Sequence, residues 1–257
     1  MITNVSPVDW RDLQNRVSEI LNQCGFRSEV EKKMQTLRGE VEIDVYAEEN
    51  IKGRKYSIIC ECKHWKSAIP QNVIHGFRTV VQELGSNIGY IISTSSFQSG
   101  SIDSSQFTNI ELLTWEEFQN NFFESWYENF FSPQVAKDLD PLLSYVEYIL
   151  PRWFDKLSDS DKESYLVLKE KYHSFGWIVM SFTPYARMGN NVSIPSLPLS
   201  LRITDEEYVK NIPSDIMNET AYLEFMEKII SYGNIAIAEF RQYRDKVLNE
   251  AGDYIID

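Results

Sequence analysis

The sequence predicts an α/β sandwich with a mixed central sheet, followed by a mainly helical C-terminal domain. Residues 1–125 alternate amphipathic helical segments with short apolar segments that are typical of strands. After the Ser-Pro pair at 132–133, apolar residues recur mainly at helical spacing. At 257 residues, the chain is long enough for two domains with a core each. We therefore expect one domain over 1–125 and another over 132–257.

The first domain should begin with a helix and a meander of three strands. "SPVD" favours a helix start with Ser6 as N-cap and Pro7 in the first turn, and Gly25 should end this helix. The strands are predicted in "RSEVEKKMQT", "VEIDVYA" and "KYSIICECK". Asn50 and Gly53 supply the turn before the third strand. These strands should therefore pair in antiparallel order.

Four further elements complete the first domain. Pro70 starts a second helix with a clean apolar stripe. "IGYIIST" is predicted as a fully buried strand, "IELLT" as a short strand and "WEEFQNNFFESW" as a closing helix. The aromatic cluster "FFESWYENFF" is expected to pack in a core rather than to stack on bases.

The second domain is predicted to be mainly helical. Thr204 and Glu207 form a capping box at the start of one helix. Residues 182–202, rich in Pro, Ser and Asn, should form a long loop or an irregular strand pair. The predicted helices are "PLLSYVEYIL", "SDSDKESYLVLKEKYHSF", "TDEEYVKNI", "NETAYLEFMEKIISY" and "IAIAEFRQYRDKVLNEAG". We expect this domain to be an accessory domain that binds a partner or senses a trigger.

The net charge restricts how the chain can bind phosphate groups. It is −13, and both halves are acidic: residues 1–125 hold 12 Lys and Arg against 17 Asp and Glu. A broad basic surface for nucleic acid is therefore not expected. A phosphate-binding site in this chain must use local residues, a metal ion or the charge of a partner.

Composition predicts a folded protein of the cytoplasm. The chain is 43% hydrophobic and 13% aromatic, which is typical of globular domains. No apolar run approaches the roughly 18 residues that span a membrane, and the N-terminus does not resemble a secretion signal. The cysteines Cys24, Cys60 and Cys62 suit a reducing compartment, and neither a disulfide nor a zinc site is expected.

Two charged residues end the third predicted strand, "IICECK". Alternate side chains share a face, so Glu61 and Lys63 point the same way about 6.6 Å apart, while Cys60 and Cys62 point into the core. The preceding strand carries Asp44 among Val and Ile. If the two strands form a hairpin, Asp44 and Glu61 can meet across it.

Two carboxylates beside a lysine suit a hard divalent cation. Mg²⁺ takes oxygen ligands and often only one or two carboxylates, leaving its other positions to water and phosphate. A lysine there can orient or deprotonate an attacking water and offset charge on a phosphate, as phosphodiester hydrolysis requires. The alternative is a cross-strand salt bridge at the end of the sheet.

These segments resemble a known nuclease family. "GEVEIDVYA", "IICECKHW" and "IPQNVIHGFRTVVQELGSNIGYIISTSSFQSGS" are similar to the PD-(D/E)xK nuclease superfamily, and closely to its Mrr-like restriction endonuclease branch, over about residues 9–120. The resemblance implies a restriction-endonuclease-like fold and Mg²⁺- or Mn²⁺-dependent cleavage of double-stranded DNA. It implies Asp44 and Glu61 as metal ligands and Lys63 as the catalytic lysine, and we include Cys62 in the predicted metal site. The family is associated with restriction and antiviral defence.

One position departs from the family pattern. The family often has a Glu in the first helix, where this chain has Gln14. Gln14 should face the edge of the sheet, where it can donate a hydrogen bond but supplies no charge. Metal affinity should therefore be low unless Glu42 or Glu40 assists. Gln71 follows the motif closely enough to line the site, whereas His75 is expected on the surface.

Two other functions stay open at this point. The nuclease domain could be inactive and only bind nucleic acid, which the Gln14 departure favours. The protein could instead be an interaction or sensor subunit of a defence complex, which the acidic surface favours. In each case we expect a homodimer, or a protein partner bound through the C-terminal half, and no membrane association.

Overall fold

The computed structural model describes residues 1–188 and 193–251, with side chains as far as Leu248. The chain divides into two compact units, Met1–Phe130 and Phe131–Asp257. Among the helices in the described part of the chain, none has the length and apolar character needed to cross a membrane.

The first unit is an α/β sandwich. Within the described residues its five strands form one mixed sheet in the order β1-β2-β3-β4-β5, with β1 to β3 antiparallel and β3 to β5 parallel. Its elements are α1 (Trp10–Gln23), β1 (Arg27–Thr36), β2 (Gly39–Ile51), β3 (Arg54–Lys63), α2 (Gln71–Leu84), β4 (Ile88–Ser93), α3 (Ser99–Ser105), β5 (Ile110–Thr114) and α4 (Trp115–Trp126). The predicted fold class is confirmed.

The strands form where the sequence places β-branched and apolar residues. Ile58, Ile59 and Cys60 of β3 are all fully buried, because helices cover both faces of the sheet there. The helix α2 packs on one face through Ile74, Phe77 and Val81 and several strand residues. This apolar contact fixes the ends of β3 and β4 relative to α2.

Two details of the first unit differ from the sequence predictions. The N-cap of α1 is Asp9 rather than Ser6, because Asp9 accepts a hydrogen bond from the Asp12 N–H at 2.8 Å. Asp12 in turn accepts one from the Val8 N–H at 2.9 Å, so the helix begins only at Trp10. The helix α3 was not predicted. Gly53 forms the predicted turn, but Asn50 does not, because it lies in β2 and pairs with Lys55; the other turn residue with positive φ is Lys52.

The second unit is helical. Its longer helices are α5 (Ser132–Val146), α6 (Asp159–Ser181) and α9 (Tyr222–Ala251), and short helices are α7 (Glu206–Val209) and α8 (Ser214–Met217). α5 packs against α6 and α9. An added Cβ at Gly176 of α6 would lie 2.4 Å from Val146, and one at Gly233 of α9 would lie 2.4 Å from Leu139. These glycines let both helices approach α5 closely.

Several helix boundaries in the second unit were predicted wrongly. α5 begins at Ser132 and holds Pro141 inside it, whereas Pro141 was expected at its start. The N-cap of α7 is Asp205 and not Thr204, because Asp205 accepts hydrogen bonds from two N–H groups of the first turn. Two predicted helices form the single helix α9, in which Gly233 serves close packing rather than a break.

The predicted loop over 182–202 contains short 3₁₀ turns, Pro184–Arg187 and Leu199–Leu201, and no strand in its described residues. Residues 189–192 of that prediction, and Gly252 at the end of the predicted last helix, lie outside the described residues. Of the aromatic cluster predicted to form core, Phe122, Trp126 and Tyr127 are buried in the first unit.

Candidate active site

A cleft opens where β2 and β3 stop pairing. Their ladder ends at the pair Val45–Cys60, and beyond it Glu61–Lys63 pair only with β4. In place of a further ladder bond, the Asp44 carboxylate accepts a hydrogen bond from the Cys62 N–H at 2.7 Å. Asp44 is therefore held at the point where the two strands separate.

A local distortion determines which way Asp44 points. Ile43 and Tyr46 pack in the same core although they are three residues apart, which a regularly alternating strand does not allow. On the neighbouring strand, Glu31 adopts a left-handed φ of 51°. The pairing of β1 with β2 skips Glu31 and Asp44 while the residues on either side of them pair. The alternation of both strands is thus interrupted, and Asp44 and Glu31 both reach the cleft.

The cleft has a volume of about 370 Å³ and collects most of the predicted site residues. Asp44, Lys63, Cys62 and Gln14 all line it, together with Glu42. Its other lining residues are Glu31, His64, Trp10 and Trp65. The structure therefore brings together residues from α1, from each of the three antiparallel strands and from the segment after β3.

The carboxylate of Asp44 lies in an environment that disfavours its charge. Burial raises the pKa of Asp44 above its ordinary value, and the nearby charge of Glu61 raises it further. Three contacts oppose this rise without cancelling it: a hydrogen bond from the Cys62 N–H, the positive charge of Lys63 and a side-chain hydrogen bond from Gln14. Two acids placed this close would be stabilised by a bound cation.

An ion pair lies within β3 rather than across strands. The ammonium of Lys63 donates to a carboxylate oxygen of Glu61, two residues away. The side chains of Lys63 and Glu61 are 17% and 29% exposed, so both remain accessible at the sheet end. Asp44 is instead held by the Cys62 N–H and Gln14. The arrangement therefore differs from the cross-strand salt bridge considered as the alternative.

Gln14 is built into this arrangement. It lies on α1, is only 4% exposed, and forms a side-chain hydrogen bond with the Asp44 carboxylate. Of the two acids expected to assist, Glu42 lines the cleft, whereas Glu40 lies 3.8 Å from the Lys33 ammonium. Sequence reasoning missed Glu31, because nothing in an alternating strand pattern signals a left-handed residue.

Cys62 contributes to the cleft through its backbone. The residue is only 5% exposed, and burial raises the pKa of its thiol well above its ordinary value. A thiolate ligand is therefore unfavourable at this position. Any ligand atom from Cys62 would have to be its carbonyl oxygen.

Gln71 lies apart from these residues. Gln71 is the first residue of α2, and its side chain lies beside Gly100 of α3. The side-chain oxygen is 3.2 Å from the position that a Cβ on Gly100 would occupy. Gln71 is exposed and is not among the residues that line the cleft. His75 is exposed on α2, as predicted.

The donor atoms fit a hard cation that needs few protein ligands. Among the described residues, no cluster of three or more His, Cys, Asp and Glu side chains is arranged to hold a metal ion. Asp44 lines the open cleft, and Glu61, although not among the lining residues, lies close enough for its charge to raise the pKa of Asp44. This set suits Mg²⁺, which commonly keeps waters and takes one or two carboxylates, and does not suit a metal that needs a complete protein cage.

Comparisons with known proteins show what the first unit is similar to. No curated protein gave a significant match. The chain is similar to the crystal structure of a protein of unknown function, AF1548, with 14% identity and a TM-score of 0.38, covering 90% of this chain and 100% of that one. It is also similar to the DNA modification-dependent restriction endonuclease AspBHI, with 11% identity and a TM-score of 0.31, covering 41% of this chain and 32% of that one. A family model described as restriction endonuclease matches residues 5–122. The matched residues lie within the first unit, which is therefore similar to the Mrr-like restriction endonucleases, as the sequence resemblance predicts.

Proposed function

We propose that the first unit is a Mg²⁺- or Mn²⁺-dependent DNA endonuclease that acts in restriction or antiviral defence in the cytoplasm. One observation carries the proposal: Asp44, Glu61 and Lys63 meet where β2 and β3 separate, within a restriction endonuclease domain. The three cysteines are buried and free, which suits a reducing compartment.

Asp44 and Glu61 would hold the metal ion through their carboxylates. Cys62 would add its backbone carbonyl oxygen, because its thiol stays protonated. When bound, the ion supplies Lewis-acid chemistry and positive charge at a scissile phosphate. That charge also offsets the repulsion between DNA and a chain with a net charge of −13.

The other residues of the cleft would position the reacting groups. Lys63 would place its ammonium beside the phosphate, where it offsets developing negative charge and orients the attacking water. Gln14 would keep the Asp44 carboxylate in place through the hydrogen bond between them. Gln71 stays a prediction as a residue at the margin of the site.

Plasmid cleavage tests this function. We expect the protein to nick or linearise plasmid DNA with Mg²⁺ or Mn²⁺ and not with EDTA. Asp44→Ala, Glu61→Ala and Lys63→Ala should each abolish cleavage without unfolding the protein. Lys55→Ala is the matched control, because Lys55 lies on the same strand and its ammonium pairs with Glu48 at 2.6 Å. If Lys63→Ala cleaved plasmid at the parent rate, the motif would be structural only.

The second unit is proposed as an accessory domain that binds a second copy of the chain or a protein partner. Light scattering of the full chain, with and without DNA, tests self-association. A protein that binds DNA but does not cleave it with either metal would instead support the alternative of an inactive nuclease domain in a sensor complex.

A further inference from the structure

Two tryptophans lie exposed at the cleft. Trp10, the first residue of α1, is 48% exposed, and Trp65, two residues after Lys63, is 42% exposed. Both line the same cleft as Asp44. Large aromatic rings are mostly buried in folded proteins, and exposed ones at a polar cleft are typical of binding sites. Neither residue is among the buried apolar residues of the first unit.

A cation lies close to each ring. The Arg11 guanidinium is 5.0 Å from the centroid of the Trp10 ring, and the Lys63 ammonium is 5.9 Å from that of Trp65. Such cation–π contacts favour particular ring orientations. Arg11 therefore adds a positive charge beside the Trp10 ring, whereas the Lys63 ammonium is also paired with Glu61.

The cleft itself offers little charge to a phosphate backbone. Its lining includes the acids Glu31, Glu42 and Asp44, and the Lys63 ammonium is paired with Glu61. Binding to duplex DNA depends mainly on neutralising phosphates with Lys and Arg. Stacking on an aromatic ring adds about 1–3 kcal/mol per base to any attraction between charges, and it needs unpaired bases with accessible faces. The balance therefore favours a DNA strand whose bases are free.

We propose that this cleft takes DNA with unpaired bases, such as a single strand or the single-stranded part of a gapped duplex. Trp10 and Trp65 then bind the substrate by stacking on bases beside the scissile phosphate. This inference rests on the proposed nuclease function, and it replaces the double-stranded substrate that the family resemblance implies with DNA whose bases are unpaired.

Binding measurements test the substrate class first. The full-length Glu61→Ala protein, in which cleavage is blocked, is titrated against a labelled single strand, its duplex and a gapped duplex by fluorescence anisotropy. We expect single-stranded and gapped DNA to bind at least about tenfold more tightly than the continuous duplex, as expected for one or more added stacking contacts.

Tryptophan variants test the residues. Trp10→Ala and Trp65→Ala, each in the Glu61→Ala background, should weaken single-strand binding by about 5- to 150-fold, the range for loss of one stacking contact. Trp10→Phe and Trp65→Phe should retain most of the affinity. Trp177→Ala is the matched control: Trp177 is also 42% exposed but lies in the second unit, and its loss should change nothing.

An abasic nucleotide provides a readout that a structural role would not move. The abasic nucleotide is placed at each position of the single strand in turn, and it should weaken binding to the Glu61→Ala protein at one or two positions. At those positions it should have no further effect on the tryptophan variant that has already lost the same stacking contact. Duplex bound as tightly as single strand, or alanine variants that bind single strand like their parent, would overturn the inference. Failure of the unmutated protein to cleave any of these DNAs with Mg²⁺ or Mn²⁺ would overturn the proposed nuclease function instead. The binding titrations would still decide whether the tryptophans stack on bases.

Discussion

The buried side chain of Gln14 forms a hydrogen bond with the carboxylate of Asp44. A neutral donor on α1 thus holds the acid that we propose as a metal ligand on β2. The contact stabilises Asp44 when no metal is bound, but it contributes no charge toward holding one.

Gln14→Glu should tighten metal binding and weaken the metal-free protein. The new carboxylate adds a charged ligand beside Asp44, while the lost hydrogen bond and the added repulsion should lower the free energy of unfolding by about 1–3 kcal/mol. Calorimetric titration with Mn²⁺ and urea unfolding in EDTA measure the two effects. Gln14→Leu is the control that removes the donor without adding charge. Weaker Mn²⁺ binding by Gln14→Glu would show that position 14 does not face the metal.

Asp44→Asn should stabilise the metal-free protein at pH 7 while abolishing cleavage. Because the pKa of Asp44 is raised in the folded state, mainly by burial, its ionised form costs stability at neutral pH. This cost is full above the folded pKa and disappears below the ordinary value of 3.8, so the gain from Asn should shrink as pH falls. Urea unfolding in EDTA at pH 7 and at lower pH measures it. A less stable variant at pH 7 would make Asp44 a structural acid.

The change in stability caused by Glu48→Gln should have the opposite pH dependence to the change caused by Asp44→Asn. The pKa of Glu48 is lowered to about 2, most strongly by a hydrogen bond from Lys55 and next by one from Tyr46. A lowered pKa stabilises the fold above the ordinary value of 4.5, and this contribution is lost as pH falls toward about 2. Glu48→Gln should therefore be less stable than the parent at pH 7, with a smaller difference at pH 3. Glu49→Gln, at the next position of β2, reports the effect of removing a charge alone.

Gly89→Ala should destabilise the first unit. A Cβ at Gly89 of β4 would lie 2.5 Å from Val81 and 2.7 Å from Phe77, both on α2, so we expect an overpacking cost of about 1–3 kcal/mol. Gly76→Ala is the matched control, because a Cβ there meets nothing within 4 Å and Ala favours a helix by about 0.5–1 kcal/mol. Thermal unfolding of both variants tests the pair. Equal stabilities would mean that α2 shifts to accept the methyl group.

Tyr165→Phe should not weaken the second unit. The Tyr165 hydroxyl is buried and has no hydrogen-bond partner among the described residues, so removing it should raise the free energy of unfolding by about 1 kcal/mol or leave it unchanged. Tyr222→Phe is the contrast, because that hydroxyl donates to the Pro195 carbonyl at 2.8 Å and its loss should cost about 1 kcal/mol. A destabilised Tyr165→Phe would indicate a bound water at this hydroxyl.

Much of the first unit follows from local sequence patterns. Period-two alternation predicts the placement of Glu61 and Lys63 beside a buried Cys62, since neighbouring side chains of a strand point to opposite faces. Gly53 predicts its turn because only a few residues accept positive φ readily. Sequence alone could therefore place these parts of the candidate site.

Other features depend on tertiary contacts that no local pattern encodes. The left-handed backbone of Glu31 is unfavourable in isolation, so only the surrounding sheet can impose it. Glycine often ends a helix, but Gly233 lies within α9. Its lack of a side chain leaves the space that Leu139 occupies. The exposure of Trp10 and Trp65 was likewise unpredictable, since tryptophan in an amphipathic segment is more often buried.

The early separation of β2 and β3 has a consequence for the order of folding. The bond that fixes Asp44 to the Cys62 N–H joins residues 18 positions apart within one hairpin. By contrast, the bonds from Thr3 to Gln119 and from Trp126 to Gln23 close the first unit over 116 and 103 positions. Closing a short loop costs less chain entropy, and local contacts form faster. The acids of the cleft should therefore meet early in folding, before the two ends of the domain are joined.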